Sequence, residues 1–286
     1  MEQNIGDSYF DFYFFRLRVD FIKSQTIEID DPNATPSTII RRSITDILDS
    51  STFHPKKWYL GLPREIDDDS VVFEFGREKL LPAVEYRDRQ FIKQPFKDYP
   101  NTLCYLDLGI ELLAIAKHIP LCARPSTAAT RLAELLSLSK ACNMHGARIT
   151  SSIIYDPREF LEVIRAAKSI TQYSFTFAAP NPFDEDEVVV KPLQKALDKL
   201  NGNLGSVSFK GSDLNPDSCE MVTRSVVSVG QGASVSYYGN EDSKARTFKT
   251  GKNALIIRIE DAIMDDYNEV LLRIKNMYKK IREGDK

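Results

Sequence analysis

The chain of 286 residues contains no run of about 18 consecutive apolar residues, so no membrane-spanning helix is expected. Its N-terminus, MEQNIGDSYF, lacks a basic segment followed by an apolar one, so no signal peptide is expected either. The four cysteines, Cys104, Cys122, Cys142 and Cys219, are far apart and form no CxxC pair. That spacing argues against a disulfide framework and against a zinc knuckle, and each thiol reads as a small buried hydrophobe. A reducing, cytoplasmic setting fits these absences and leaves the sequon Asn33-Ala34-Thr35 without meaning. No excess of one charge exists: 38 basic against 41 acidic residues give a net charge of −3. A global field that gathers nucleic acid is therefore missing, and only a local basic patch can supply one.

Catalytic signatures are missing as well. The sequence has no GxxxxGK[ST] phosphate loop, no HExxH and no GxSxG elbow. Gly230-Gln231-Gly232 lies between a helical and a strand pattern, the wrong order for a dinucleotide fingerprint, and Gly230 reads as a helix C-cap. The three histidines, His54, His118 and His145, stand at no metal-ligand spacing. Cys142 and His145 share one helix end, but no orienting carboxylate accompanies them. Asp107 at a strand end and Glu111 across the following turn can converge as a metal nuclease requires, yet the lysine that often serves such metals is missing. Asp67, Asp68 and Asp69 read as a solvated loop, and Asp265 and Asp266 as the outer face of the last helix. The expectation is a protein that is not a stand-alone enzyme, with no cofactor and no metal site. A metal-dependent nuclease with an unrecognised site is the enzymatic alternative.

What the chain does have is patterned sheet. Residues 169–183, SITQYSFTFAAPNPF, carry no charge although 28% of the chain is charged. Tyr173, Phe175 and Phe177 alternate with Gln172, Ser174 and Thr176, the mark of a strand with one buried face. Pro180 and Pro182 end it, since proline cannot donate to a ladder. Segments 148–155, 205–210 and 233–238 repeat the pattern, with Thr150, Ser152, Ser206, Ser208, Ser234 and Ser236 opposite their apolar residues. Strands buried on both sides read as continuous Val, Ile and Leu. One sheet is therefore expected, with helices on one face and an uncharged Ser/Thr face on the other.

The rest of the chain sorts into an α+β protein. A β-rich part with one helix spans 1–125, and an alternating β/α part with a long C-terminal helix spans 126–286. In the first part, 9–22 reads as a strand deeply covered around Phe10, Phe12 and Phe14. A helix opening at Pro36 follows, then short strands at 58–62, 71–76, 84–92, 103–108 and 111–117. Pro82, Pro95 and Pro100 read as loop residues between them. In the second part, helices are expected at 126–142, 187–200 and 261–282. Others start at a capping box, Asp156-Pro157-Arg158-Glu159, and at Asn215-Pro216-Asp217. Pro180-Asn181-Pro182-Phe183-Asp184 reads as a rigid strand-to-helix connection.

One stretch runs against the acidic balance. Lys244, Arg246, Lys249, Lys252 and Arg258 occur without an acidic residue among them, on an expected hairpin of strands 245–249 and 254–259 beside Tyr237 and Tyr238. Lys279 and Lys280 on the last helix are candidates to extend the patch. Cationic strands with nearby aromatics follow phosphates and stack on bases. The expected function is a nucleic-acid-associated accessory protein that meets DNA or RNA through Lys244, Arg246, Lys249, Lys252, Arg258, Tyr238, Lys279 and Lys280. The alternative is a protein-binding or self-associating subunit of an intracellular assembly, such as one in prokaryotic antiviral defence. That reading uses the Ser/Thr sheet face or the C-terminal helix.

Overall fold

The computed structural model describes residues 8–21, 35–49, 57–178, 190–200, 202, 204–240 and 244–284. Among them lie fourteen strands and seven helices, an α+β protein with a β-rich N-terminal part and a long C-terminal helix. The segment 180–184 lies outside the described residues. Among the described residues, no helix is long and apolar enough to cross a membrane. The chain divides into two compact units, one of Phe10–Phe12 and Leu17–Ser151, the other of Met1–Tyr9, Tyr13–Arg16 and Ser152–Lys286. Strand β1 (Tyr9–Phe21) contributes to both.

In the N-terminal unit, β1 is followed by α1 (Pro36–Asp49) and by β2 (Trp58–Leu60), β3 (Arg64–Asp67), β4 (Ser70–Arg77), β5 (Lys79–Arg87) and β6 (Gln90–Asp98). Next come β7 (Asn101–Asp107), β8 (Leu112–Ala116), α2 (Pro125–Leu136), α3 (Lys140–Met144) and β9 (Ala147–Ile153). Its sheet runs β1-β8-β7-β4-β2, with β3 on β4 and β9 on β1. All of β8 is buried, as a continuous apolar strand should be. Phe12 and Leu17 are buried in β1, but Phe10 is partly exposed near the strand's start. The helix expected over 126–142 is two helices. Ser137 Oγ donates to the Ile149 carbonyl at 3.0 Å and accepts from the Ile149 amide at 2.8 Å, which stops α2 there. The Ser139 hydroxyl accepts from the Cys142 amide and so starts α3.

The strand expected over 84–92 is also two. Asp88 and Arg89 adopt φ of 52° and 65°, the two positive angles of a tight hairpin turn, and join β5 to β6. Among the described residues this ribbon pairs with no other strand. Pro82 and Pro95 stand opposite one another within it, because an edge strand can forgo an N–H donor. Glu78 anchors its base by accepting from Lys57 Nζ at 2.5 Å, Lys97 Nζ at 3.2 Å and the Tyr99 hydroxyl at 3.5 Å. Hydrogen bonds from Lys57 and then Lys97 hold the Glu78 carboxyl below its ordinary value of 4.5. A lowered folded-state value means that the stabilisation is complete above that ordinary value and is lost as pH falls through the folded one. Protection of the amides at the ribbon base, taken relative to their intrinsic exchange rates at each pH, is therefore expected to fall below about pH 4.5. Glu78→Gln should lower that protection at neutral pH already and match the parent in acid.

The C-terminal unit contains α4 (Arg158–Ala166), β10 (Ser169–Ala178), α5 (Val190–Lys199), β11 (Leu204–Lys210), α6 (Pro216–Ser228) and β12 (Ala233–Tyr238). After these come β13 (Arg246–Lys249), β14 (Ile256–Glu260) and α7 (Tyr267–Glu283). Its sheet has four strands in the order β11-β10-β12-β13, all neighbours antiparallel, with β10 at an interior position as expected. Strands β11 and β12 both oppose β10, so they run parallel to each other, with α6 as the crossover. The buried face of β10 meets Phe160 and Ile164 of α4 and Val222 and Val226 of α6. The Tyr173 hydroxyl shares a 2.9 Å hydrogen bond with Thr223.

One strand pairing in this sheet differs from the sequence expectation. The 148–155 segment, as β9, pairs with β1 and leaves the Ser/Thr sheet, so Thr150 and Ser152 are not on its open face. Period-two alternation states which side of a strand is buried and says nothing about its neighbour. The cap of α4 differs too: Pro157 is the N-cap, and Asp156 accepts from the Arg158 amide at 3.0 Å while Glu159 does not return a bond to it. Asn215 caps α6 through the Ser218 amide as expected, and Gly230, at φ 74°, ends that helix in the left-handed region. Helix α7 starts at Tyr267. Asp266 serves as its N-cap and is not an outer-face residue.

Candidate nucleic-acid interface

The strand register fixes which side chains share the open face of the four-stranded sheet. One row reads Lys210, Gln172, Ser236 and Thr247, and the next reads Ser208, Ser174, Ser234 and Lys249. Thr176 and Ser206 follow, and Tyr238 stands opposite Ser169 beyond a bulge at Thr171. None of these positions is a carboxylate. Short lateral bonds order the hydroxyls: Gln172 Nε2 donates to Ser208 Oγ at 3.0 Å, and Ser236 and Thr247 share a bond of 3.1 Å. Lys210 and Lys249, both exposed, bound the face on its two edge strands.

The basic run is not a hairpin. Strand β13 pairs with β12, while β14 pairs with β1, so the chain leaves the sheet after Lys249. This separates Arg258 from Lys249: the Arg258 guanidinium sits 5.8 Å from the Tyr9 ring centre. Arg246 lies opposite Tyr237, on the helix-covered side of the same edge strand. Lys252 turns back toward β13, its ammonium 4.4 Å from the centre of the Phe248 ring. Lys244, Arg246, Lys249 and Lys252 are all exposed, and together they surround the β13 edge. Lys279 and Lys280 do not join them. They are carried by α7, which packs on α6 and β14, and α6 covers the opposite face of the sheet. The apolar stripe of α7, including Val270, Ile274 and Tyr278, is buried.

The other candidate groups disperse. Asp107 is buried and accepts from the Ile110 amide at 3.0 Å, as a turn-capping carboxylate does. Among the described residues, no three His, Cys, Asp or Glu side chains gather as a metal site would require. All four cysteines are free; Cys142 is buried 3.5 Å from the Ser43 hydroxyl. Burial raises the Cys104 thiol strongly and pushes Cys219 up to about 11, the opposite of an activated nucleophile. His145 is buried at the end of α3, and His54 lies outside the described residues.

Sequence reasoning missed two features. Lys210 belongs to the open face, a position that its alternation with Val207 and Phe209 already indicates. The exposed aromatic pair Tyr86 and Phe91 was hidden by reading 84–92 as one strand. No protein-family model matches the chain, and no curated protein matches its sequence.

Proposed function

We propose that this protein associates with nucleic acid through the open face and the β13 edge of its four-stranded sheet. One observation carries the reading: a face of hydroxyls and an amide, free of carboxylates, bounded by Lys210 and Lys249 and continued around the edge by Lys244 and Lys252. Phosphate oxygens take hydrogen bonds from such groups, Ser, Thr, Gln and Lys, and these contacts carry no sequence information. The aromatic residues of β10 point to the helices, so the hydroxyl rows offer no ring for stacking, and Tyr238 at the end of β12 is the aromatic side chain this face presents. The chemistry is therefore backbone tracking by an accessory protein without sequence preference. The experiment is oligonucleotide binding by the full chain, measured by fluorescence anisotropy, with Lys249→Glu/Lys252→Glu as the decisive variant.

A protein-binding role for the same face would use its hydroxyls for close approach of another layer. The edge argues against strand addition there, since β13 has only four residues and ends in lysine, a common protection of sheet edges.

A further inference from the structure

We infer that the β5–β6 ribbon is a second nucleic-acid contact, a stacking arm for unpaired bases. A ribbon of two strands is marginally stable alone and normally keeps its apolar side chains covered. Here Tyr86 is 63% exposed and Phe91 is 78% exposed, although the two rings stand only 5.0 Å apart as cross-strand neighbours at the tip. The alternation of both strands places them on one face with Val84 opposite Lys93 and Leu80 opposite Lys97, and no carboxylate occurs at any position of that face. The turn adds Arg89, and among the described residues neither Arg89 nor Lys93 pairs with a carboxylate. Glu78 holds Lys97 at the base, so the arm is fixed where it leaves the sheet and open where the aromatics sit.

An open aromatic pair bordered by unpaired cations matches one partner class closely. Bases stack on aromatic rings regardless of sequence, while cations follow the phosphates. A duplex buries its base faces, so the arm selects single strands. The inference rests on the nucleic-acid reading but uses a separate surface from the Ser/Thr face, and the two respond to different variants.

The test uses the full chain and oligothymidylate of about 20 nucleotides, longer than a typical single-strand site. Tyr86→Ala/Phe91→Ala is expected to weaken binding about tenfold or more, since stacking contributes roughly 1–3 kcal/mol per base and each 1.4 kcal/mol is tenfold. The salt dependence should stay at the parent slope because no charge is removed. Tyr86→Phe, which keeps the ring, should bind like the parent. Parent-like binding by the double alanine variant would overturn the arm, while weakened binding by Lys249→Glu/Lys252→Glu would leave the sheet-face reading standing. A parent dimer that dissociates in the double alanine variant with oligonucleotide binding unchanged would also overturn it, and would assign the arm to self-association. No binding by the parent chain would remove both readings.

Discussion

Lys249→Glu/Lys252→Glu is expected to weaken oligonucleotide binding at least about tenfold near 0.1 M salt, equally for all sequences. Both side chains are exposed, and Lys252 contributes only a ring contact with Phe248, so the fold should survive the exchange. Losing two phosphate contacts should flatten the slope of log affinity against log salt by roughly 1.4–1.8. Geometry supplies the control. Lys279 and Lys280 belong to α7 on the other side of the unit, so Lys279→Glu/Lys280→Glu should leave affinity and slope unchanged. Equal losses from the two pairs would mean that net charge governs binding and that the β13 edge has no special part. Circular dichroism on both variants separates a folding defect from a contact defect.

Phe175→Ala should be the most damaging single change in the C-terminal unit. Phe175 is 2% exposed on the central strand, with ring centres of Tyr173, Phe177 and Phe209 within 5.9–6.3 Å. Removing a buried phenyl ring forfeits its transfer energy and leaves a cavity, at a cost of roughly 3–5 kcal/mol. That is a large share of the 5–15 kcal/mol that holds a typical domain. Ser174→Ala, on the next residue but the open face, removes a half-exposed hydroxyl and should cost within about 0.5 kcal/mol. Urea unfolding followed by circular dichroism compares the two. Similar midpoints for both variants would contradict the assignment of buried and open faces.

The faces of the sheet were legible because alternation over ten residues of β10 leaves only one way to bury Tyr173, Phe175 and Phe177. The start of α6 at Asn215 and the buried stripe of α7 follow from equally local patterns. Pairing was not legible. A short basic strand followed by a Thr250-Gly251-Lys252 turn looks like half of a hairpin, but β13 finds its partner on the preceding strand and β14 finds its own in β1. The β5–β6 turn was hidden because Asp88 and Arg89 take positive φ without glycine, and because Val84, Tyr86 and Ile92 keep the period of a single strand although Phe91 does not. The candidate site was therefore visible as a list of cations. The separation of Lys279, Lys280 and Arg258 from the β13 edge needed the pairing, whereas the side on which Lys210 stands was already given by alternation.

The most direct test of the central claim is the affinity of the full chain for a single-stranded oligonucleotide as a function of salt. If Lys210, Lys244, Lys249 and Lys252 each neutralise one phosphate, log affinity should fall linearly with log salt at a slope of about −3, from roughly 0.7 per contact on a single strand. Binding that is absent at low salt, or that does not change with salt, would contradict the account.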